Sequence, residues 1–303
     1  MQVVEELAKL SPNTGMILTI GVFDGVHLGH KSLISQLTGQ AKRHDMLSGV
    51  VTFCQHPQEV LSPSTKLPRL TSLAERTSLL RKEGVDEVII LTFSPELAEL
   101  SARQFVSLLK EHLRMQGLVI GPDFALGKNR EGNASVLHSL GLDMDFSVTA
   151  IPPIKINGEA VSSTAIRNAL ANGDIKRVYN LLGRYFSMEG QVIAGTHRGV
   201  EFGFPTVNLD VDTEQALPLD GVYSTWAHID DKVYESMTNI SKHPTFGSNE
   251  RTVEVYIFDY HGNLCDRELR IDIVERLCSE KKFHSVEKLK KQITEEIKKE
   301  GRY

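Results

Sequence analysis

Gly21–His30 reads GVFDGVHLGH. An apolar run, Met16–Ile20 (MILTI), precedes it, and a segment with Leu33, Ile34, Leu37 and Ala41 on one helical face follows it. The pattern is strand, glycine-rich turn, helix. Gly21, Gly25 and Gly29 let the backbone turn sharply and approach a ligand closely. His27 and His30 are three positions apart at the helix start, a spacing that can aim both imidazoles at one place. Backbone N–H groups and the positive dipole end of the helix suit phosphate there. Two ring donors beside that dipole would stabilise charge on a phosphoryl group in transfer. The string is neither a Walker loop nor G-x-G-x-x-G. A bland turn of an α/β fold, with surface or capping histidines, is the competing explanation.

Outward from this turn, the first half alternates short apolar runs with helical patterns. Strands are expected at Met16–Phe23, Gly49–Phe53, Val88–Phe93, Leu118–Ile120 and Ser147–Ile151, and helices at Leu73–Lys82 and Arg103–Met115. Short Val-, Ile- and Phe-rich runs are typical of buried parallel strands. Their alternation with helices implies right-handed crossovers and an open, doubly wound sheet. Ligands bind beyond the carboxyl ends of such strands, which is where Gly21–His30 falls.

After Leu182-Gly183-Arg184 the grammar changes. Met188–Ile193, Gly221–Ile229, Lys232–Ile240, Arg251–Asp259 and Glu268–Leu277 read as consecutive strands, with Asp230-Asp231 as a hairpin turn. Val253, Val255 and Ile257 alternate with Glu254, Tyr256 and Phe258. A mainly antiparallel β-barrel is expected, closed by a helix with Val286, Leu289, Ile293 and Ile297 on its apolar stripe. Two domains follow, residues 1–183 and 184–303, with helical Thr164–Leu182 at the end of the first.

Two further stretches carry polar groups suited to phosphate. Val161–Arg167 (VSSTAIR) offers Ser163 and Thr164 hydroxyls at a helix start and the cationic fork of Arg167. A simple N-cap explains the serines as well. Glu189–Asp210 (EGQVIAGTHRGVEFGFPTVNLD) has Gly195, Gly199 and Gly203, which allow a backbone wrapped around phosphate. Thr206 and Asn208 point the same way if the chain is extended there, as ligands of hydrated Mg²⁺ would. A turn between barrel strands accounts for the same residues.

Composition adds bounds. The 303 residues carry a net charge of −5, so nothing global argues for nucleic-acid binding. Cys54, Cys265 and Cys278 form no C-x-x-C pair, which argues against a disulfide framework or zinc site and for a reducing compartment. The N-terminus lacks the basic start and apolar core of a signal peptide, and no apolar run approaches ~20 residues. A cytoplasmic protein without membrane or nucleic-acid partners is expected, as a monomer or weak homo-oligomer.

With these motifs in hand, the chain resembles the prokaryotic bifunctional riboflavin kinase/FMN adenylyltransferase (FAD synthetase) family. GVFDGVHLGH is similar to the H-x-G-H turn of the nucleotidylyltransferase superfamily. VVTFCQHPQEVL (Val50–Leu61), GPDFALGKNREG (Gly121–Gly132) and VSSTAIR resemble further segments of the adenylyltransferase half. GFPTVN, NISKHPTF (Asn239–Phe246), TVEVYIFDY (Thr252–Tyr260) and RLCSEKKF (Arg276–Phe283) resemble the kinase half. The resemblance implies phosphorylation of riboflavin to FMN and adenylylation of FMN to FAD, with ATP as co-substrate and Mg²⁺. It implies His27, His30 and Arg167 as catalytic in the first half, with Gly21, Phe23, Asp24, Gly25, Ser163 and Thr164 around ATP. It implies Asp123, Phe124, Asn129 and Arg130 near the flavin. In the second half it implies Glu254 as general base, Gly195, Gly203 and Pro205 around ATP, and Thr206 and Asn208 at the metal.

The chain departs from the family pattern at Cys54-Gln55, Ala125-Leu126, Ser241, His243 and Cys278. The alternatives are retention of one activity only, a flavin-binding regulatory protein without turnover, or another H-x-G-H enzyme such as a pantetheine-phosphate adenylyltransferase.

Overall fold

The structure, a computed structural model, describes residues 1–10, 12–193, 206–242 and 251–279. Contacts divide the chain into two compact units, Met1–Ser163 and Thr164–Tyr303.

The first unit is built on β1 (Met16–Ile20), β2 (Leu47–Phe53), β3 (Glu87–Leu91), β4 (Met115–Ile120) and β5 (Ser147–Ala150). They form one sheet in the order β3-β2-β1-β4-β5, and every pairing is parallel. Helices α1 (Gln2–Ala8), α2 (Leu28–Arg43), α3 (Pro57–Leu61), α4 (Leu73–Lys82), α5 (Pro95–Ala98), α6 (Ala102–Leu113) and α7 (Ala134–Met144) lie between and beside the strands, and a short hairpin of β6 (Lys155–Ile156) and β7 (Glu159–Ala160) follows. The expected doubly wound sheet is present.

All five residues of β1 are buried, because both faces of the sheet are covered. Met16, Leu18 and Ile20 pack with α1, α6 and α7, against Leu7, Leu109 and Leu137. Ile17 points the other way and packs with Leu33, Ile34, Leu37 and Ala41 of α2 and Leu80 of α4. Alternation along one strand thus feeds two cores. Truncating a fully buried leucine such as Leu37 to alanine costs about 2–5 kcal/mol.

Two element ends differ from the sequence expectation for local reasons. β1 stops at Ile20 rather than Phe23, because Phe23 adopts φ 55° and turns the chain out of the sheet. α6 stops at Leu113, where Arg114 adopts the left-handed conformation and releases Met115 into β4.

The second unit holds α8 (Ser163–Ala171) from Thr164 onward, α9 (Ile175–Leu182), and the strands β8 (Phe186–Ile193), β9 (Thr206–Val211), β10 (Gly221–Ile229), β11 (Lys232–Lys242), β12 (Arg251–Ile257) and β13 (Glu268–Cys278). The strands close into a barrel in the order β10-β11-β12-β9-β8-β13, with every pairing antiparallel. The division of contacts falls before α8, earlier than the change of sequence grammar at Gly183. α9 has its apolar face, Ile175, Val178, Leu181 and Leu182, buried, and it packs on β8 and β13.

Asp230, at φ 53°, and Asp231 make the expected two-residue hairpin between β10 and β11. β9 was read from sequence as part of a turn and is a strand. The helix expected around Val286–Ile297 lies outside the described residues.

Candidate active sites

In the first unit, β1 runs into the Gly21–His27 turn, and α2 begins at Leu28 with His27 as its N-cap. The His27 Nδ1 accepts a hydrogen bond from the His30 backbone N–H at 3.3 Å. An imidazole here does the work of a Ser or Asp cap, and its ring is thereby fixed at the helix N-terminus. The His30 ring stacks on it, centroids 3.6 Å apart and planes 15° from parallel. Phe23 meets His30 edge-on at 5.1 Å. A Cβ on Gly29 would sit 3.1 Å from two atoms of the His27 ring, so the residue just before His30 has to be small. His30 Nδ1 is buried with no hydrogen-bond partner. Burial, then the neighbouring His27 and the Arg76 cation, hold the His30 pKa well below its ordinary 6.5. The ring is therefore neutral at pH 7, with one nitrogen able to donate.

The turn is braced from residues distant in sequence. Both carboxylate oxygens of Asp24 accept from the Leu70 backbone N–H, at 3.0 and 3.1 Å, and Asp24 Oδ1 also accepts from the Thr71 N–H and hydroxyl. The Gly25 N–H donates to Thr71 Oγ1. The Ser163 hydroxyl donates to the Asp24 carbonyl at 2.9 Å, which joins the expected Ser-Ser-Thr segment to this turn. Asp24 thus shapes the loop from within, at 5% exposure.

The other expected residues of this half are placed as follows. The Gly121–Gly132 segment leaves the carboxyl end of β4, the neighbour of β1 in the sheet, so both loops emerge at the same edge, at the point where the strand order reverses. Phe124 packs against the core beneath it. Asp123 and Arg130 are exposed, and the Arg130 guanidinium donates to the Asp123 carbonyl. Asn129 and Arg130 both have positive φ, 55° and 58°. Leu126 and Gly132 bridge across the base of the loop, and Glu131 accepts from the Ala102 N–H at the head of α6. Thr164 is exposed and Arg167 partly exposed on α8, which lies in the second unit from Thr164 on. At the altered Cys54-Gln55 pair, the Cys54 thiol donates to Gln55 Oε1 at 2.6 Å, and the Gln55 amide donates to the Phe93 carbonyl.

In the barrel, Glu254 lies directly across from Asn208 of β9 on one side and Asn239 of β11 on the other. Val253 and Val255 are buried in the barrel interior, so by alternation Glu254 and its two neighbours face outward, half-buried. The Asn239 amide donates to Ser241 Oγ at 3.4 Å, and that hydroxyl meets Thr252 Oγ1 at 3.5 Å. Ser241 is fully buried. Thr206 pairs with Tyr256 at the start of β9. Gly195, Gly203, Pro205 and His243 lie outside the described residues.

The sequence reading missed Asn239 and Arg76. Asn239 is an ordinary strand residue until pairing aligns it with Glu254. Arg76 lay in a helical pattern as one more polar position.

Comparison with known proteins agrees with this two-part geometry. Residues 9–165 match the family model described as FAD synthetase, and residues 182–303 match the one described as riboflavin kinase. A bifunctional riboflavin kinase/FMN adenylyltransferase of Pseudomonas fluorescens is 37% identical, over 98% of this chain and 96% of that one. Its Escherichia coli K12 counterpart is 33% identical, over 97% and 95%. The chain belongs to the bifunctional riboflavin kinase/FMN adenylyltransferase family. A solved Streptococcus pneumoniae structure described as a macrolide-efflux protein superposes with a TM-score of 0.86 at 29% identity, covering 97% of this chain and 95% of that one. Among the described residues no helix is long and apolar enough to cross a membrane. In this family member, both halves of the bifunctional relatives have their counterpart.

Proposed function

We propose that this protein makes FMN from riboflavin and FAD from FMN, using ATP for both steps, with residues 1–183 carrying adenylyl transfer and 184–303 the kinase. The observation that carries the reading is the stacked His27–His30 pair at the head of α2, beyond the carboxyl end of β1. In adenylyl transfer the FMN phosphate attacks the α-phosphorus of ATP and pyrophosphate leaves. No protein nucleophile is needed, so catalysis is positioning and charge stabilisation. His27, His30 and the α2 N-terminus face the triphosphate, with Ser163, Thr164 and Arg167 as further donors and Gly21, Phe23, Asp24 and Gly25 shaping the cradle. Asp123, Phe124, Asn129 and Arg130 handle the flavin.

In the kinase half, Glu254 accepts the proton of the riboflavin 5′-hydroxyl as it attacks the γ-phosphorus, and ADP leaves. The paired Asn208 and Glu254 present hard oxygen donors, the type that Mg²⁺ takes. Among the described residues no group of three or more His, Cys, Asp or Glu could hold a metal alone, so the ion would rest mainly on ATP oxygens, with Thr206 and Asn208 beside it and Gly195, Gly203 and Pro205 around the nucleotide. Bound there, Mg²⁺ would neutralise developing phosphate charge. None of the three cysteines forms a disulfide, which suits a cytoplasmic site of action.

The test is chromatography of purified protein incubated with riboflavin and Mg-ATP. FMN followed by FAD is expected. FMN without FAD removes the adenylyltransferase assignment, and no turnover of either flavin leaves a binding protein.

A further inference from the structure

Arg76 of α4 is 6% exposed, and among the described residues it makes no ion pair. Taking a guanidinium out of water without a paired carboxylate is costly. Burial pulls its pKa down, and only the nearby Asp24 and Cys54 oppose this. The cation is instead spent on two carbonyls. Nη1 donates to the Val22 carbonyl at 2.9 Å and Nη2 to the Phe53 carbonyl at 2.6 Å. Nε has no partner.

The Phe53 carbonyl is on the last residue of β2 and the Val22 carbonyl lies two residues beyond the end of β1, its parallel neighbour in the sheet, so both need partners where the ladder ends. The Thr52 hydroxyl also donates to the Val22 carbonyl, at 3.1 Å. The next residue, Phe23, is held at φ 55°, a strained conformation for an aromatic residue, and its ring edge abuts His30. A continuous path runs from the Arg76 fork through the Val22 carbonyl and the Phe23 ring to His30. His30 Nδ1 has no hydrogen-bond partner, and the ring is stacked on His27 and met at an edge contact by Phe23.

We propose that Arg76 is a positioning residue for adenylyl transfer: by gripping the Val22 and Phe53 carbonyls it fixes the Phe23 turn and, through it, the aim of the His30 ring at the reacting phosphates. The proposal rests on the assignment of His30 to the adenylyl-transfer site. Its cationic charge, close enough to disfavour protonation of His30, works in the same direction.

Full-length Arg76→Gln and Arg76→Lys are the test, with FMN formation in the same preparation as the control for a folded chain. Arg76→Gln is expected to lower kcat for FAD formation by about 100-fold, the cost of a small misplacement, with KM for ATP little changed and FMN formation intact. Arg76→Lys, which keeps the charge and one carbonyl contact, is expected to recover part of that loss, and it carries the test if the Gln variant does not fold. NMR of the His30 ring protons gives a readout without turnover: their shifts are expected to move in Arg76→Gln and to return partway in Arg76→Lys. An unchanged kcat, or His30 shifts that stay at wild-type values in both variants, overturns the proposal. If wild-type protein makes no FAD, the site assignment fails instead, and the His30 shifts alone decide whether Arg76 holds the ring.

Discussion

Glu254 and Asn208 stand directly opposite each other across β12 and β9. Cross-strand partners have Cβ atoms only about 5 Å apart, so a carboxylate and an amide oxygen share one spot on the barrel's outer face. Replacing Glu254 by Gln keeps the shape and removes the proposed base. FMN formation is expected to fall by about 10²–10⁴-fold, while FAD formation from supplied FMN continues. Separate assays with riboflavin and with FMN check this. Loss of both rates together would mean that the two halves do not act as independent sites.

His27 caps α2, and in the proposed adenylyl transfer its ring is also a donor. His27→Asn keeps a good N-cap and removes the imidazole. Thermal unfolding should shift little, whereas FAD formation should drop by about 10²–10³-fold, the usual loss of a charge-stabilising donor. A variant that melts early and keeps its rate per folded molecule would reduce His27 to a cap.

Acid sensitivity follows from His30. Its native pKa lies well below 6.5, so between that depressed value and 6.5 the unfolded chain binds a proton that the folded chain refuses. The slope of unfolding free energy against pH is then positive in this window. The His30 contribution is fully present above 6.5, is lost as pH falls below it, and levels off beneath the native pKa. His30→Gln should flatten this part of the melting-temperature profile, as read by calorimetry from pH 7.5 down to 5. Parallel profiles for the two proteins would contradict the burial of a neutral ring.

Gly127 closes the loop between β4 and α7 at φ 77°, and a Cβ there would lie 2.5 Å from the Ala102 backbone nitrogen. Backbone at a helix start cannot yield cheaply. Gly127→Ala is expected to cost about 1–3 kcal/mol in denaturant unfolding and to raise KM for FMN more than KM for ATP. An equal rise in both would detach this loop from flavin handling.

The strand–turn–helix at Met16–Arg43 was readable because apolar runs, glycines and helical spacing are local signals, and the same holds for the alternation at Val253–Ile257. β9 was not readable: GFPTVN is rich in turn residues, and only pairing with β12 and β8 makes Thr206–Val211 a strand. The expected limits of β1 and α6 were overrun where single residues with positive φ, Phe23 and Arg114, follow an otherwise suitable pattern.

Sequence alone determined the two-part plan and the chemical endowment of each part: two histidines at a helix head, a glutamate on an alternating strand. Tertiary structure decided what surrounds them. Asp24 is satisfied by Leu70 and Thr71, 46 and 47 positions away, Arg76 reaches Val22 across 54, and Glu254 acquires Asn208 and Asn239 only through strand register. Periodicity reports which face of an element is buried. Which distant polar groups meet on or beneath that face depends on sheet order and strand pairing, set by the packing of the whole chain.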